Sequence, residues 1–597
     1  MNITIPLTDF TAGELTPKLE GRIDLPLYMK GAKVLENFII MSHGGITKRP
    51  GSRYLSTLSV GDGRLYSFTT EMGVYLLCFI HQELQIYAVD QDGNGFSGST
   101  VYVETSYTTS ETKNLQFAQV ENRLYIAAKN HAPACLVNTS SNSFSFSEVS
   151  FTTVQGEDQV FESADNYPGC VAFFNGRLWW AGTINEPQTI WASKPFEYES
   201  HVIYDTIDYT LNTLVDPDLW VDPEIPQYQT QSFSRNIIDE SHAFNLTLSG
   251  AESETIQSLT AGKDLIVFSS HSEWVIGRDI SPYNIYAIQH TKHGSSPIQA
   301  KMVDDAILFI QQGRKIREYY YQDSMGAYHA PDLTFLSDHI TKEGIDDFVF
   351  TRVPEPLLLV LRSDGSLACC TYNKSAGVSA WTVWIPATGT KFLSIAVTRV
   401  GNEDRIFAIH EVIASGVRSL VLFDPIFYDD GFSVYMDCVE ACTINTGSVL
   451  VPTIKSIYTA GHSLYTNTYY PDTGRPSYSN PYLPDPSTGN GGYPLYIGIP
   501  FTCQMQTMRI EPQTFAKLSR IVKVHARVLD SRDFQVGYAN TVLLTDIVNT
   551  TLFSGNLEID FLGDSTTDSW VWIVSNNTHP LTILVLIPEI EIIQEAL

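Results

Sequence analysis

Basic residues are scarce: the 597 residues hold 37 Lys plus Arg against 66 Asp plus Glu, a formal net charge of -29. A protein that grips nucleic acid by neutralising phosphates needs the opposite balance, so that class is disfavoured. Long apolar runs are missing too. The run near the C-terminus, Leu581 to Ile587, is far short of the roughly 20 residues that a membrane helix needs. Met1 to Phe10 carry no basic stretch followed by a continuous apolar one, so export by a signal peptide is not expected and folding in cytosol is. The eight cysteines (78, 135, 170, 369, 370, 438, 442 and 503) are scattered, mostly inside apolar runs, which fits reduced core thiols and not a disulfide framework. Cys438-x-x-x-Cys442 has no second pair to complete a zinc site, so no metal is expected. No His-Glu-x-x-His, Gly-x-x-x-x-Gly-Lys-Ser/Thr or Gly-x-Ser-x-Gly occurs, and no cofactor and no catalytic residue is assigned. Asp90-x-Asp92-x-Asn94-Gly95 begins like a calcium loop, but Val101 stands where a bidentate Glu belongs, so a tight turn is expected there. Paired glycosidase carboxylates meet in space and not in sequence, so these residues alone leave an enzyme open.

What is abundant is strand-forming and turn-forming residues. Hydrophobic residues make up 43% and aromatics 12%, beside 39 Gly and 29 Pro, which favours an all-β chain of short strands with a large core. A unit recurs from residue 75 to residue 423: an apolar strand, a polar turn, a second apolar strand. The copies are 75–80 with 84–89, 124–128 with 134–137, 178–181 with 189–192, 265–268 with 273–276, 306–310 with 316–320, 357–361 with 367–372, and 406–409 with 417–423. Taking the hairpins to start at positions 75, 123, 177, 264, 306, 357 and 405, all the gaps but the one from 177 to 264 fall near a single period. A period of roughly 40 to 50 residues built on strand pairs is that of propeller blades, so a β-propeller-like body of about seven blades is expected. Ordinary hairpins in sandwiches are the competing reading, because no blade signature repeats.

Three stretches fall outside the repeat. The long gap contains 201–260, with ten acids against the single base Arg235, including Asp205, Asp208, Asp216, Asp218, Asp222 and Glu224; it reads as an acidic insertion. Residues 458–496 hold eight tyrosines among Pro, Gly, Ser and Asn, the composition of a long projecting loop. Ile521 to Val528 alternates, placing Lys523, His525 and Arg527 on one face of a strand and Val522, Val524 and Val528 on the other. The expected organisation is an N-terminal strap (1–60), a first propeller segment (61–195), the acidic insertion (196–260), a second propeller segment (261–430), a tip region with the Tyr-rich loop (431–515) and a C-terminal β-unit (516–597).

The N-terminal stretch carries an ordered motif. Phe10, Gly13-Glu14-Leu15-Thr16-Pro17, Leu19, Gly21-Arg22, Asp24-Leu25, Tyr28 and Gly31 are followed by Leu35, Asn37-Phe38, Gly44-Gly45 and Arg49-Pro50-Gly51. Weaker pieces follow in order: Asn175-Gly176-Arg177-Leu178-Trp179-Trp180-Ala181-Gly182 with Pro187 and Ser193, Leu308 to Gln311, Arg317-Glu318-Tyr319, Asp332-Leu333-Thr334 with His339, and Asp364-Gly365 with Ala380-Trp381. This pattern resembles the tail nozzle proteins (tail tubular protein B) of short-tailed bacteriophages over most of residues 8 to 430. The resemblance implies a non-enzymatic structural protein of the virion tail, assembled in the host cytoplasm. It implies a homohexameric ring below the tail adaptor that carries double-stranded DNA in transit, contacts fibres or spikes, and meets the host surface at its tip. On that reading Phe10, Gly13, Glu14, Pro17, Gly21, Arg22, Asp24, Tyr28, Asn37, Arg49, Pro50 and Gly51 form an assembly motif. The six acids named above become candidates for the channel wall or for docking, and Tyr465, Tyr469, Tyr470, Tyr478 and Tyr482 for a tip gate. A tail-associated propeller enzyme acting on host glycan, or a propeller scaffold for fibres or spikes, are the alternatives.

Overall fold

In the computed structural model the described residues are 2–592 apart from 59–61, 156, 158, 215–227, 251, 424–434, 443, 446–447, 450–464, 468–494, 511–517, 540–543, 548–551, 564 and 567. The chain is all-β; the described residues form one α-helix, the short Thr109–Thr112. Its body is β-propeller-like. Among the described residues five separate four-stranded antiparallel sheets occur, and two more quartets are embedded in larger sheets, which gives seven blades. Blade one spans 64–104, blade two 116–148, blade three 170–247, blade four 256–291, blade five 301–329, blade six 345–384 and blade seven 390–423.

The seven strand pairs legible in the sequence are central strands of these blades. Gly73–Ile80 and Glu83–Val89, for example, are flanked by Arg64–Thr70 and Phe96–Glu104. A strand flanked on both edges, in a sheet packed on both faces, can carry apolar residues at every position. Leu357–Arg362 and Leu367–Asn373 are accordingly buried almost throughout. The outer strands face water and alternate, as Ser143–Glu148 does.

The chain forms two compact units, 1–113 with 313–316 and 332–597, and 114–312 with 317–331. In the first unit, Leu76, Cys78 and Ile80 of blade one pack on Phe407, Ile409 and Leu420 of blade seven. Leu359, Cys369 and Trp384 of blade six pack on the other side of blade seven, against Phe392, Ala408 and Val421. In the second unit the same face-to-face stacking joins blades two and three through Tyr125, Leu178 and Trp180, three and four through Trp179 and Val267, and four and five through Phe268 and Phe309.

Blade seven takes its fourth strand from the other end of the chain: Ser52–Thr57 pairs antiparallel with Val417–Phe423. The expected N-terminal strap is built into its own unit along its length. Asn2–Thr4 pairs with Thr582–Ile592, Gly31–Glu36 joins blade six to Cys503–Thr507, and Phe38–Ile40 with Ile46–Lys48 extends the C-terminal sheet. The expected C-terminal β-unit therefore shares its core with N-terminal residues, Phe10, Leu35, Phe38 and Ile46 packing on Val524, Ile583 and Leu586.

The strand at 521–528 extends over Ser519–Ser531 and departs from strict alternation. Its pairing with the last strand slips between Ile521 and Lys523, so Ile521 and Val524 are both buried and Val522 is only partly so. The Asp90–Gly95 stretch is a turn: Asp90 Oδ1 accepts the Asn94 N–H at 2.7 Å, and Gly93 has φ +70°.

Candidate functional site

In the first unit two of the motif residues, Asn37 and Arg49, meet at a buried ion pair. Arg49 is fully buried; its guanidinium donates to both oxygens of Asp437 at 2.9 and 2.8 Å and through Nε to Asn37 Oδ1 at 2.7 Å, and it stacks 3.5 Å above the Phe501 ring. Asn37 has φ +60°, and its amide donates to the Thr502 carbonyl at 2.7 Å. Asp437 also accepts the Ala387 N–H at 3.1 Å. Such a charge pair is tolerable in an apolar core because each charged group is held by several hydrogen bonds. Next to it Lys48 lies buried, donating to Ser575 Oγ at 3.4 Å and to the Asn577 carbonyl, and burial pushes its amine below the usual lysine range.

Other motif residues also have intrachain partners. Glu14 accepts the Leu35 N–H at 2.7 Å and lies 2.7 Å from His339 Nε2. A Cβ on Gly13, which has φ +71°, would lie 2.4 Å from the Trp381 nitrogen. Pro17 opens a short 3₁₀ turn, and Tyr28 is buried with its hydroxyl accepting the Gly21 N–H at 3.4 Å. Pro50 and Gly51 lead into the strand that completes blade seven. Arg22 and Asp24 differ: they are exposed and paired two ways at 2.8 and 2.7 Å, an arrangement that holds the Asp24 carboxyl below the usual range and raises Arg22.

In the second unit the acidic insertion is an antiparallel ribbon, Asp205–Leu214 with Tyr228–Ile237, placed between the third and fourth strands of blade three. It is narrower than the expected 196–260, because Phe244–Thr247 returns to the blade. Asp205 and Asp208 are exposed, and Ser234 donates to Asp208 across the ribbon. At its foot the buried His242 accepts the Asp239 N–H at 2.8 Å through Nδ1, and its Nε2 lies 3.4 Å from Asp205. Arg177 fixes this foot by donating to the carbonyls of Ser193, His242 and Glu240 at 2.7, 2.8 and 2.7 Å. Asp216, Asp218, Asp222 and Glu224 lie outside the described residues, as do Tyr469, Tyr470, Tyr478 and Tyr482; Tyr465 begins a strand, Tyr465–Asn467, paired with Leu495–Pro500.

Sequence reasoning missed a cleft of about 530 Å³ in the second unit, formed by the first turn of blade two (Val120 to Arg123) and the loop after the third strand of blade three (Phe196 to Ser200), with Thr152. Its residues come from separate stretches of chain, and the one local signal is a Phe amid polar loop residues. Cys78, Cys135, Cys170, Cys369, Cys370, Cys438 and Cys503 are buried free thiols, and no group of three or more His, Cys, Asp or Glu side chains is placed to hold a metal among the described residues.

No family model matches the chain, and no curated protein matches it in sequence. Among solved structures it is similar to the β-propeller domain of Cps50 (Swd1) from Myceliophteria thermophila, at a TM-score of 0.38 and 8% identity, covering 62% of this chain and 99% of that one.

Proposed function

We propose that the chain is the subunit of a homohexameric tail nozzle, a structural virion component fixed below the tail adaptor through which DNA leaves the particle. The observation that carries this reading is the ordered block from Phe10 to Gly51, with its resemblance to short-tailed phage nozzle proteins. The charge supports it: six copies at -29 sum to on the order of -170, and carboxylates along a bore keep phosphates from adhering to the wall. The ribbon of blade three, whose Asp205 and Asp208 are exposed, is the candidate wall element, or the docking element for a fibre or spike. The Tyr-rich segment 458–496 is the candidate distal closure, since large rings of low charge pack reversibly on one another. The test is quantitative mass spectrometry of purified particles. Six copies of this chain per tail are expected, and its absence from particles overturns the reading.

A further inference from the structure

The cleft in the second unit presents an aromatic platform beside carboxylates. Phe196 is 79% exposed and holds φ +60°, a conformation that bulky residues seldom adopt. Its N–H donates to the Gly176 carbonyl at 2.8 Å, and its ring rests over that glycine, where an added Cβ would lie 3.3 Å away. Asn175 and Gly176 both have positive φ, the two-residue hairpin turn that leaves a flat seat for the ring. The loop is tied down by its backbone: the Lys194 N–H donates to the Ser200 carbonyl, that of Thr152 to Glu199 and that of His201 to Thr152, at 2.9, 2.9 and 2.7 Å. A large ring held exposed on a strained backbone gives little to folding.

Glu121, Glu197 and Glu199 line the same cleft with one lining base, Arg123, which binds Glu199 at 3.1 Å. Glu197 faces Lys194 at 3.9 Å, too long for a direct hydrogen bond. An anionic ligand would meet an excess of carboxylates, and a neutral sugar would cover them without supplying charge. A guanidinium supplies planar donors to carboxylates and stacks on an aromatic face. The volume lies within the roughly 300 to 1,000 Å³ of small-ligand sites.

We propose that this cleft receives an arginine side chain from a basic segment of a partner protein, with Phe196 as the stacking surface and Glu197 and Glu121 as acceptors. The proposal stands apart from the nozzle reading, since the cleft lies within one unit of one chain. It is tested by calorimetric titration of the full chain with the peptide acetyl-Gly-Arg-Lys-Gly-amide, beside acetyl-Gly-Glu-Glu-Gly-amide and maltotetraose. Saturable binding of the basic peptide alone is expected. It should weaken at least tenfold in Phe196→Gly and in Glu197→Gln, while the melting temperature of Phe196→Gly is unchanged or higher, because glycine adopts positive φ freely. No saturable binding of the basic peptide, undiminished binding by either variant, or stronger binding of maltotetraose would overturn it. A fall of several degrees in the melting temperature of Phe196→Gly would show that the ring serves folding, and would overturn it as well.

Discussion

Arg49 gathers groups from four distant stretches of the first unit, at Asn37, Ile385, Asp437 and Phe501. Replacing it with Met keeps most of the volume but leaves Asp437 as an uncompensated buried charge, so Arg49→Met is expected to cost about 3–5 kcal/mol, read from denaturant unfolding. Arg22→Ala with Asp24→Ala removes a pair that is well solvated, and the melting temperature is expected to stay within a degree or two of the parent. On the nozzle reading the same double variant fails to enter tails, and normal incorporation shows the pair to be dispensable. Buried histidines are expected to contribute to acid sensitivity. Burial pushes His410 down to about 4, with the Asp437 carboxylate opposing and Arg49 adding to the shift, and neither ring nitrogen has a hydrogen-bond partner. Burial likewise lowers His201 to about 4 and His579 to about 3. The unfolded chain takes up these protons near pH 6.5, so this stability is complete above that pH and is lost as pH falls toward 4, at about 3 kcal/mol for His410. Melting curves from pH 7 to pH 4.5 should show a smaller loss in His410→Leu than in the parent; an equal loss contradicts the assignment.

At the level of elements, the acidic ribbon hangs from blade three without belonging to its sheet: Thr189–Ala192 pairs directly with Phe244–Thr247 on either side of it. Replacing 206–236 with a short Gly-containing turn is therefore expected to leave the remaining strand content nearly unchanged and the stability within about 1 kcal/mol of the parent, as checked by circular dichroism during thermal and denaturant unfolding. The same distinction explains what the sequence discloses. Inner blade strands announce themselves because burial on both faces demands unbroken apolar runs such as Val74 to Ile80. The outer strands, half solvated, carry only weak alternation. The insertion shows as an excess of acids over 201–260, but the limits of the ribbon do not, since its strands, paired from Asp205 with Ile237, carry only Asp205 and Asp208 of those acids. Pairings at long range leave no local trace: nothing in Ser52–Thr57 says that it completes a blade beginning at residue 390. The motif residues are visible as a pattern, yet the partners of Glu14 and Arg49 stand far along the chain, at His339 and Asp437. The cleft is invisible for the same reason, since Glu121 and Phe196 come from loops of different blades.

For the whole molecule, a net charge of -29 bears on the proposed hexamer. Copies of so acidic a chain repel one another at low salt, with a screening length of about 30 Å at 0.01 M and about 8 Å at physiological ionic strength. On the nozzle reading, ring formation by purified chain should accordingly strengthen with salt, as sedimentation between about 0.02 and 0.3 M NaCl would read. On the nozzle reading the same charge is put to use, because a wall that does not bind phosphate lets DNA slide. The measurement that tests this account most directly is cryo-electron microscopy of tailed particles containing the chain. A sixfold ring of this subunit around an axial bore is the predicted result, with the position of residues 205–237 assigning the ribbon to the wall or to fibre docking. A tail without such a ring, or this chain as single copies with no axial passage, contradicts it.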